Sequence, residues 1–86
     1  MALKLLNLSD TVELMNSDDY KERFKAEYYQ LKYRYQKLHF MILKYEADKL
    51  DFKPTCEMEL LREQRRAMEK YLHYLELRAV REDIEL

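Results

Sequence analysis

Apolar side chains recur along the first half of the chain at steps of four and three: Tyr20, Phe24, Tyr28, Leu31, Tyr35, Leu38, Ile42 and Tyr45. That spacing is the heptad seam of an α-helix. It predicts a helix over 18–48, capped by Ser17, with Asp18 and Asp19 in a first turn where carboxylates suit the dipole. A second apolar face, Leu60, Leu61, Ala67, Met68, Tyr71, Leu72, Tyr74, Leu75 and Ala79, predicts a helix over 56–84 with a frayed end. Thr55 is its expected cap, and Glu57 stands in its first turn. Between them, 49–55 contains Pro54, which disfavours helix at Lys53. So short a connection makes the helices antiparallel neighbours. Residues 1–17 read as an N-terminal arm followed by a short helix. Leu3, Leu5, Leu6 and Leu8 form the arm, as a brief strand or as irregular chain. Asp10 and Glu13 have the spacing of a capping box for a helix over Thr11–Met15. The fold class is therefore all-α: a single helical-hairpin domain over 1–86.

Each helix carries more apolar surface than one seam needs. At about 100° per residue, Tyr29, Tyr33 and Phe40 fall nearly opposite the first seam. Leu77, Val80 and Ile84 lie away from the main face of the second helix. A row of aromatics facing solvent calls for a cover. The arm docking over one stripe is one account. Self-association is the account expected here, because the arm is too short to cover both stripes. The chain has 86 residues and buries a small core. Cys56 is its single cysteine, so no internal disulfide supplements that core, as suits a reducing cytosol. A homo-oligomer is the remaining supplement.

Composition narrows the function classes. Sixteen basic and seventeen acidic residues give a net charge of −1, without the basic surplus of a dedicated binder of DNA or RNA duplexes. Glycine is absent, so neither a phosphate-cradling loop nor a dinucleotide fingerprint exists, and turns with positive φ are not expected. No apolar run approaches the roughly 20 residues of a membrane span, and the leucine-rich start is broken too soon for a signal peptide. His39 and His73 have no metal-ligand spacing to each other or to Cys56, and neither belongs to a nucleophilic constellation. Cys56 near a helix start can have a lowered thiol pKa, but an incidental role is the plainer reading. The expectation is a protein without enzymatic activity, resident cofactor or metal.

What remains is binding chemistry. Gln64 and Arg78 project from the apolar face of the second helix. Arg78 there must pair, for instance with Glu22 or Glu27, or meet an anion. Arg62, Arg65 and Arg66 cluster on the same helix. Lys21, Lys25 and Lys32 line one flank of the first seam, and Arg23 and Arg34 the other. Such flanks are ordinarily solvated faces. Here cations repeatedly border tyrosines, so rings can stack a base while Arg and Lys hold phosphates. Without glycine, side chains must do this, most readily in a pocket between protomers.

The strings Thr11-Val12-Glu13-Leu14-Met15 and Asp19-Tyr20-Lys21-Glu22-Arg23-Phe24-Lys25-Ala26-Glu27-Tyr28 resemble small helical phage proteins. So do Leu50-Asp51-Phe52 with Pro54, and the pattern Leu60-Leu61, Gln64, Met68, Tyr71-Leu72, Leu75-Glu76, Arg78-Ala79. The resemblance spans 11–86. That group is in turn similar to the helical-hairpin sponges with which phages counter Thoeris and CBASS immunity. The resemblance implies a homo-oligomer, often a hexamer, in the cytoplasm of an infected bacterial host. It would bind a cyclic oligonucleotide or cyclic ADP-ribose-type messenger between protomers without cleaving it. Tyr20, Lys21 and Arg23 are its expected ligand contacts, from the most distinctive string, with Met68 and Arg78 from the second-helix pattern. Lys25, Tyr28, Arg62, Arg65 and Arg66 join them on chemical grounds. The competing functions are a protein-interaction adaptor working through Tyr29, Tyr33 and Phe40, and a structural coiled-coil component of a phage.

Overall fold

A computed structural model describes residues 7–86, so the expectation for Leu3, Leu5 and Leu6 lies outside the described residues. A 3-10 turn, Leu8–Thr11, leads into the one-turn helix α1, Val12–Met15. The long helices are α2, Tyr20–Glu46, and α3, Met58–Arg81. There is no strand among the described residues. The hairpin is 43 Å long and about half as wide.

The starts of the helices correct three expectations. Asp10 does not cap; it is the acid inside the 3-10 turn, where its carboxylate accepts the Asn7 backbone N–H at 2.9 Å. Asp19, not Ser17, caps α2 by accepting the Lys21 N–H at 2.9 Å. Ser17 acts one step earlier, accepting from the Asp19 N–H at 3.0 Å and donating to Glu22 at 2.5 Å. Glu57, not Thr55, is the cap position of α3, and no side chain caps it. Thr55 lies two residues too early to reach the first free N–H groups.

The helix ends correct a fourth. Positive φ was not expected without glycine, yet Asp48 and Asp83 both sit at φ 58°. Each is the left-handed residue of a Schellman cap. The Lys49 N–H reaches the Lys44 carbonyl at 2.8 Å, and the Ile84 N–H reaches the Ala79 carbonyl at 2.8 Å. Aspartate tolerates this region better than most residues. The second cap has a packing consequence. It ends α3 at Arg81 and turns Ile84 back over Ala79, so Ile84 is 6% exposed and belongs to the core. Read as a continued, frayed helix, Ile84 falls on the wrong face.

The first seam is observed where expected over its middle. Phe24, Tyr28 and Ile42 are buried and Leu31, Tyr35 and Leu38 half-buried, while the end members Tyr20 and Tyr45 are exposed. The broad face read for α3 is two stripes. Its packed line is Leu61, Arg65, Met68, Leu72, Leu75 and Ala79, all buried or half-buried, whereas Leu60, Gln64, Ala67, Tyr71 and Tyr74 are exposed. Arg65 stands at a seam position, and that charge concealed the heptad. The main core gathers Phe24, Tyr28, Leu72, Leu75, Ala79 and Ile84 toward the open end of the hairpin.

The N-terminal segment covers part of the back of α2. Thr11 is buried; its hydroxyl donates to the Leu8 carbonyl at 2.6 Å and accepts from Gln30 at 2.8 Å. Ala26, one turn before Gln30, is buried as well. Tyr29 packs against the core edge. Of the three aromatics read as a free back stripe, only Phe40 stays largely exposed, at 59%, with Leu43 beside it. On α3, Leu60, Tyr74, Leu77 and Val80 are also exposed.

Two substitutions test the C-terminal hook by chemical denaturation of the full chain. Ile84→Ala should destabilise it by about 2–4 kcal/mol, the cost of emptying a packed aliphatic site. Asp83→Gly should stabilise it by roughly 0.5–1 kcal/mol, because glycine adopts positive φ without a Cβ clash. A neutral Ile84→Ala would contradict the hook.

Candidate functional site

Polar side chains cross the hairpin in register. Tyr28 donates to Glu76 at 2.8 Å, and Tyr35 to Glu69 at 3.1 Å. The two pairs are seven residues apart on each helix, in opposite senses. Next on the same flank come His39 with Arg65, 3.1 Å apart, and Glu46 with Arg62, 3.2 Å apart. Arginine only donates, so His39 Nδ1 accepts and the ring proton sits on Nε2. The His39 ring is stacked on Tyr35, with centroids 5.6 Å apart and planes 9° off parallel. On the other flank Tyr71 donates to Glu27.

The open end of the hairpin holds the densest cluster. Tyr20 at the first turn of α2 donates to Glu82 at 2.7 Å and accepts from Arg78 Nη2 at 2.7 Å. Arg78 Nε also reaches Glu82 at 3.2 Å, and its guanidinium lies 4.9 Å from the Phe24 ring centroid. Arg78 therefore pairs with Glu82 on its own helix, not with Glu22 or Glu27. Lys21 Nζ reaches the Asp83 carbonyl at 3.3 Å. Of its three donors this uses one, and at length. Helix starts fix this geometry: Asp19 places Tyr20 and Lys21, and the turn at Asp83 places Glu82.

Of the ten residues read as ligand contacts, the fold brings Tyr20, Lys21 and Arg78 together. Arg23 is adjacent but donates to the Ser17 carbonyl at 2.8 Å, tying down the linker before α2. Lys25 is half-buried on the same helix. Tyr28 is a core residue, 4% exposed, and Met68 is a half-buried seam residue. Arg62 and Arg65 serve the cross-helix pairs, and Arg66 pairs locally with Glu63 at 2.6 Å. Thirteen residues of α3 separate Arg65 from Arg78, or about 20 Å. The expected set thus divides between the two ends of the hairpin. Phe24, Glu82 and Asp83 were not read as part of the cluster. Phe24 was assigned to the seam, and the acids come into place only through the Schellman turn.

The same geometry orders the tyrosines electrostatically. Burial and the Glu76 carboxylate push the Tyr28 hydroxyl well above its usual range. Burial and Glu69 raise Tyr35. Hydrogen bonds to Glu82 and Glu27, together with burial, raise Tyr20 and Tyr71. Glu82 is lowered, first by the Tyr20 hydroxyl and then by Arg78. A raised tyrosine stabilises the fold at any pH below the unfolded value of about 10, and that contribution is lost as pH climbs through the folded value. Helical circular dichroism should therefore hold steady to about pH 10 and fall above it as tyrosinate absorbance rises. Tyr28→Phe should cost about 1 kcal/mol, since it removes one hydrogen bond and keeps the ring. Tyrosines that all ionise near the unfolded value with the helix intact would refute the cross-helix pairs.

A family model described as Sequestin matches residues 18–81, a stretch that contains both long helices and the loop between them. No curated protein and no solved structure gives a significant match. The matched stretch is well over half of the chain, and it is the hairpin itself: the protein belongs to the Sequestin family.

Proposed function

We propose that this protein sequesters a nucleotide-type immune messenger, a cyclic oligonucleotide or a cyclic ADP-ribose relative, and holds it without cleaving it. In this reading it acts as a homo-oligomer in the cytoplasm of a phage-infected bacterium. The family name denotes sequestration, and sequestration asks for tight binding and no chemistry. The observation that carries the reading is the open end of the hairpin. There the exposed Tyr20 ring stands with two cations, Arg78 and Lys21, and the Arg78 guanidinium lies over the buried Phe24 ring. Arg78 Nη1 and the remaining Lys21 donors are available to a phosphate, with the Tyr20 ring beside them. Those groups are held in place by the cross-helix pairs, so binding them would cost little further ordering.

Self-association is supported by the apolar side chains that the hairpin leaves uncovered on α3, namely Leu60, Tyr74, Leu77 and Val80. An oligomer would set the open ends of several hairpins near one another and let neighbours complete each pocket. The adaptor reading loses part of its motivation, because Tyr29 packs against the core and Tyr33 is half-buried.

Thermal denaturation with a panel of cyclic oligonucleotides and cyclic ADP-ribose isomers should give a higher Tm for at least one, and heating should release that ligand intact. Lys21→Met should weaken its binding about tenfold with little change in Tm, the loss of one charge-assisted contact. Sedimentation should find an assembly larger than one chain. No shift with any ligand, or hydrolysed ligand, would overturn the function; a monomer at micromolar concentration would overturn the assembly.

A further inference from the structure

The exposed side chains of α3 form a second seam. Leu60, Ala67 and Tyr74 recur every seven residues, and so do Glu63, Lys70 and Leu77, three positions further on. All six are exposed. Together they make the alternating steps of three and four that mark a helix-pairing face. At about 100° per residue this face points well away from the packed line that meets α2. The described N-terminal segment packs on α2 and leaves it uncovered. Two polar features distinguish it from a bare apolar stripe. First, Tyr20, Tyr28, Tyr35 and Tyr71 each donate to a glutamate within the hairpin. Among the described residues Tyr74, 53% exposed, has no such acceptor. Second, a hollow of about 290 Å³ beside Leu60 is walled by Glu57, Glu59 and Glu63. Glu63 holds Arg66 through Oε1 at 2.6 Å, and among the described residues its Oε2 is free. Tyr74 and Glu63 are complementary, yet eleven residues of one helix separate them, or about 16 Å, so they cannot meet within one chain.

We infer that this face is occupied by a second copy of the chain, with the two α3 helices paired antiparallel about a two-fold axis between Ala67 and Lys70. The inference rests on the homo-oligomer proposed above and not on the identity of the ligand. Reversing one helix sets one row of the seam against the other. Leu60 then meets Leu77 of the second copy, Glu63 meets Tyr74, and Ala67 meets Lys70. Every contact occurs twice, as an isologous interface requires. Leucine covers leucine at both ends. The Tyr74 ring enters the acidic hollow beside Leu60, and its hydroxyl donates to Glu63, repeating the tyrosine–glutamate bond that crosses the hairpin. At the centre the small Ala67 leaves room for the Lys70 stem, whose ammonium runs out to solvent. A parallel pair would instead set Glu63 on Glu63 and Lys70 on Lys70, like charge against like charge. The antiparallel pair places the open end of each hairpin beside the loop end of the other. Open ends of different pairs then meet only through a further contact, and Val80, 76% exposed and outside the seam, is left for it.

Sedimentation of the full chain at micromolar concentration tests the pairing. Leu60→Lys and Leu77→Glu change exposed helix positions, so each variant should keep its helical circular dichroism. Each alone should weaken association about tenfold or more, because it sets an unpaired charge on an apolar contact. Combined in one chain they should regain about tenfold, because the two positions face each other only across an antiparallel pair. Cross-linking reads the same alignment without added charge. Chains carrying Cys56→Ser with Leu60→Cys are mixed with chains carrying Cys56→Ser with Leu77→Cys and then oxidised. The mixed disulfide should exceed both symmetric ones, since only it joins facing positions. Single substitutions without effect on a natural chain that assembles would overturn the pairing and leave the assembly standing. Symmetric disulfides as abundant as the mixed one would do the same. A double variant that associates no better than the singles would overturn the antiparallel alignment. A monomeric natural chain would overturn the pairing together with the assembly, while nucleotide binding by that monomer would leave the ligand reading intact.

Discussion

The hairpin depends on hydrogen bonds that cross it from tyrosine to glutamate. An apolar heptad seam brings two helices together, but it tolerates sliding by one repeat, since each layer resembles the next. Tyr28 on Glu76 and Tyr35 on Glu69 remove that freedom. A slip of seven residues on one helix would still face Tyr28 with Glu69, but it would strand Tyr35 and break the pairing of His39 with Arg65 and of Tyr20 with Glu82. The polar pairs thus select one alignment from several of similar apolar burial. Tyr28, the buried member of these pairs, weighs most here, because a buried polar group left unpaired costs more than a paired one gains.

The alignment determines where chemistry can collect. At the open end, the same register that pairs Tyr20 with Glu82 brings Arg78 over Phe24 and Lys21 beside the C-terminal turn. A glycine-free chain reaches this arrangement by placing aspartate at both left-handed helix ends. At Asp83 the turn also returns Ile84 to the core, so one residue ends the helix, completes the packing and shapes the candidate site. The core is small and concentrated at that end. Exposed apolar side chains are left on α3 and on the distal back of α2, which is where a further partner, ligand or subunit has most to bury.

Much of this was legible in the residues. The seam of α2 was visible because tyrosine, phenylalanine, leucine and isoleucine hold its positions without interruption. Pro54 marked the break, and the lengths of the helices followed. The seam of α3 was less legible because Arg65 occupies a packed position, and a line of exposed apolar residues runs beside the buried one. The candidate site was legible in part. Tyr20, Lys21 and Arg78, singled out by the family resemblance, stand together at the open end of the hairpin. Glu82 was invisible as their partner, since nothing local distinguishes it from the other acids of the second helix.

The sequence by itself determined two antiparallel helices, the absence of any glycine-dependent phosphate loop, and a chain carrying more apolar surface than a lone hairpin can hide. Periodicity and composition are local properties, and those conclusions need nothing more. Only the tertiary structure decided which tyrosines are committed to carboxylates, which way Ile84 turns, and how far the N-terminal segment covers α2. Each of these depends on contacts between residues tens of positions apart. Such contacts are set by the register of one helix against the other, and a pattern read along a single helix contains no term for that register.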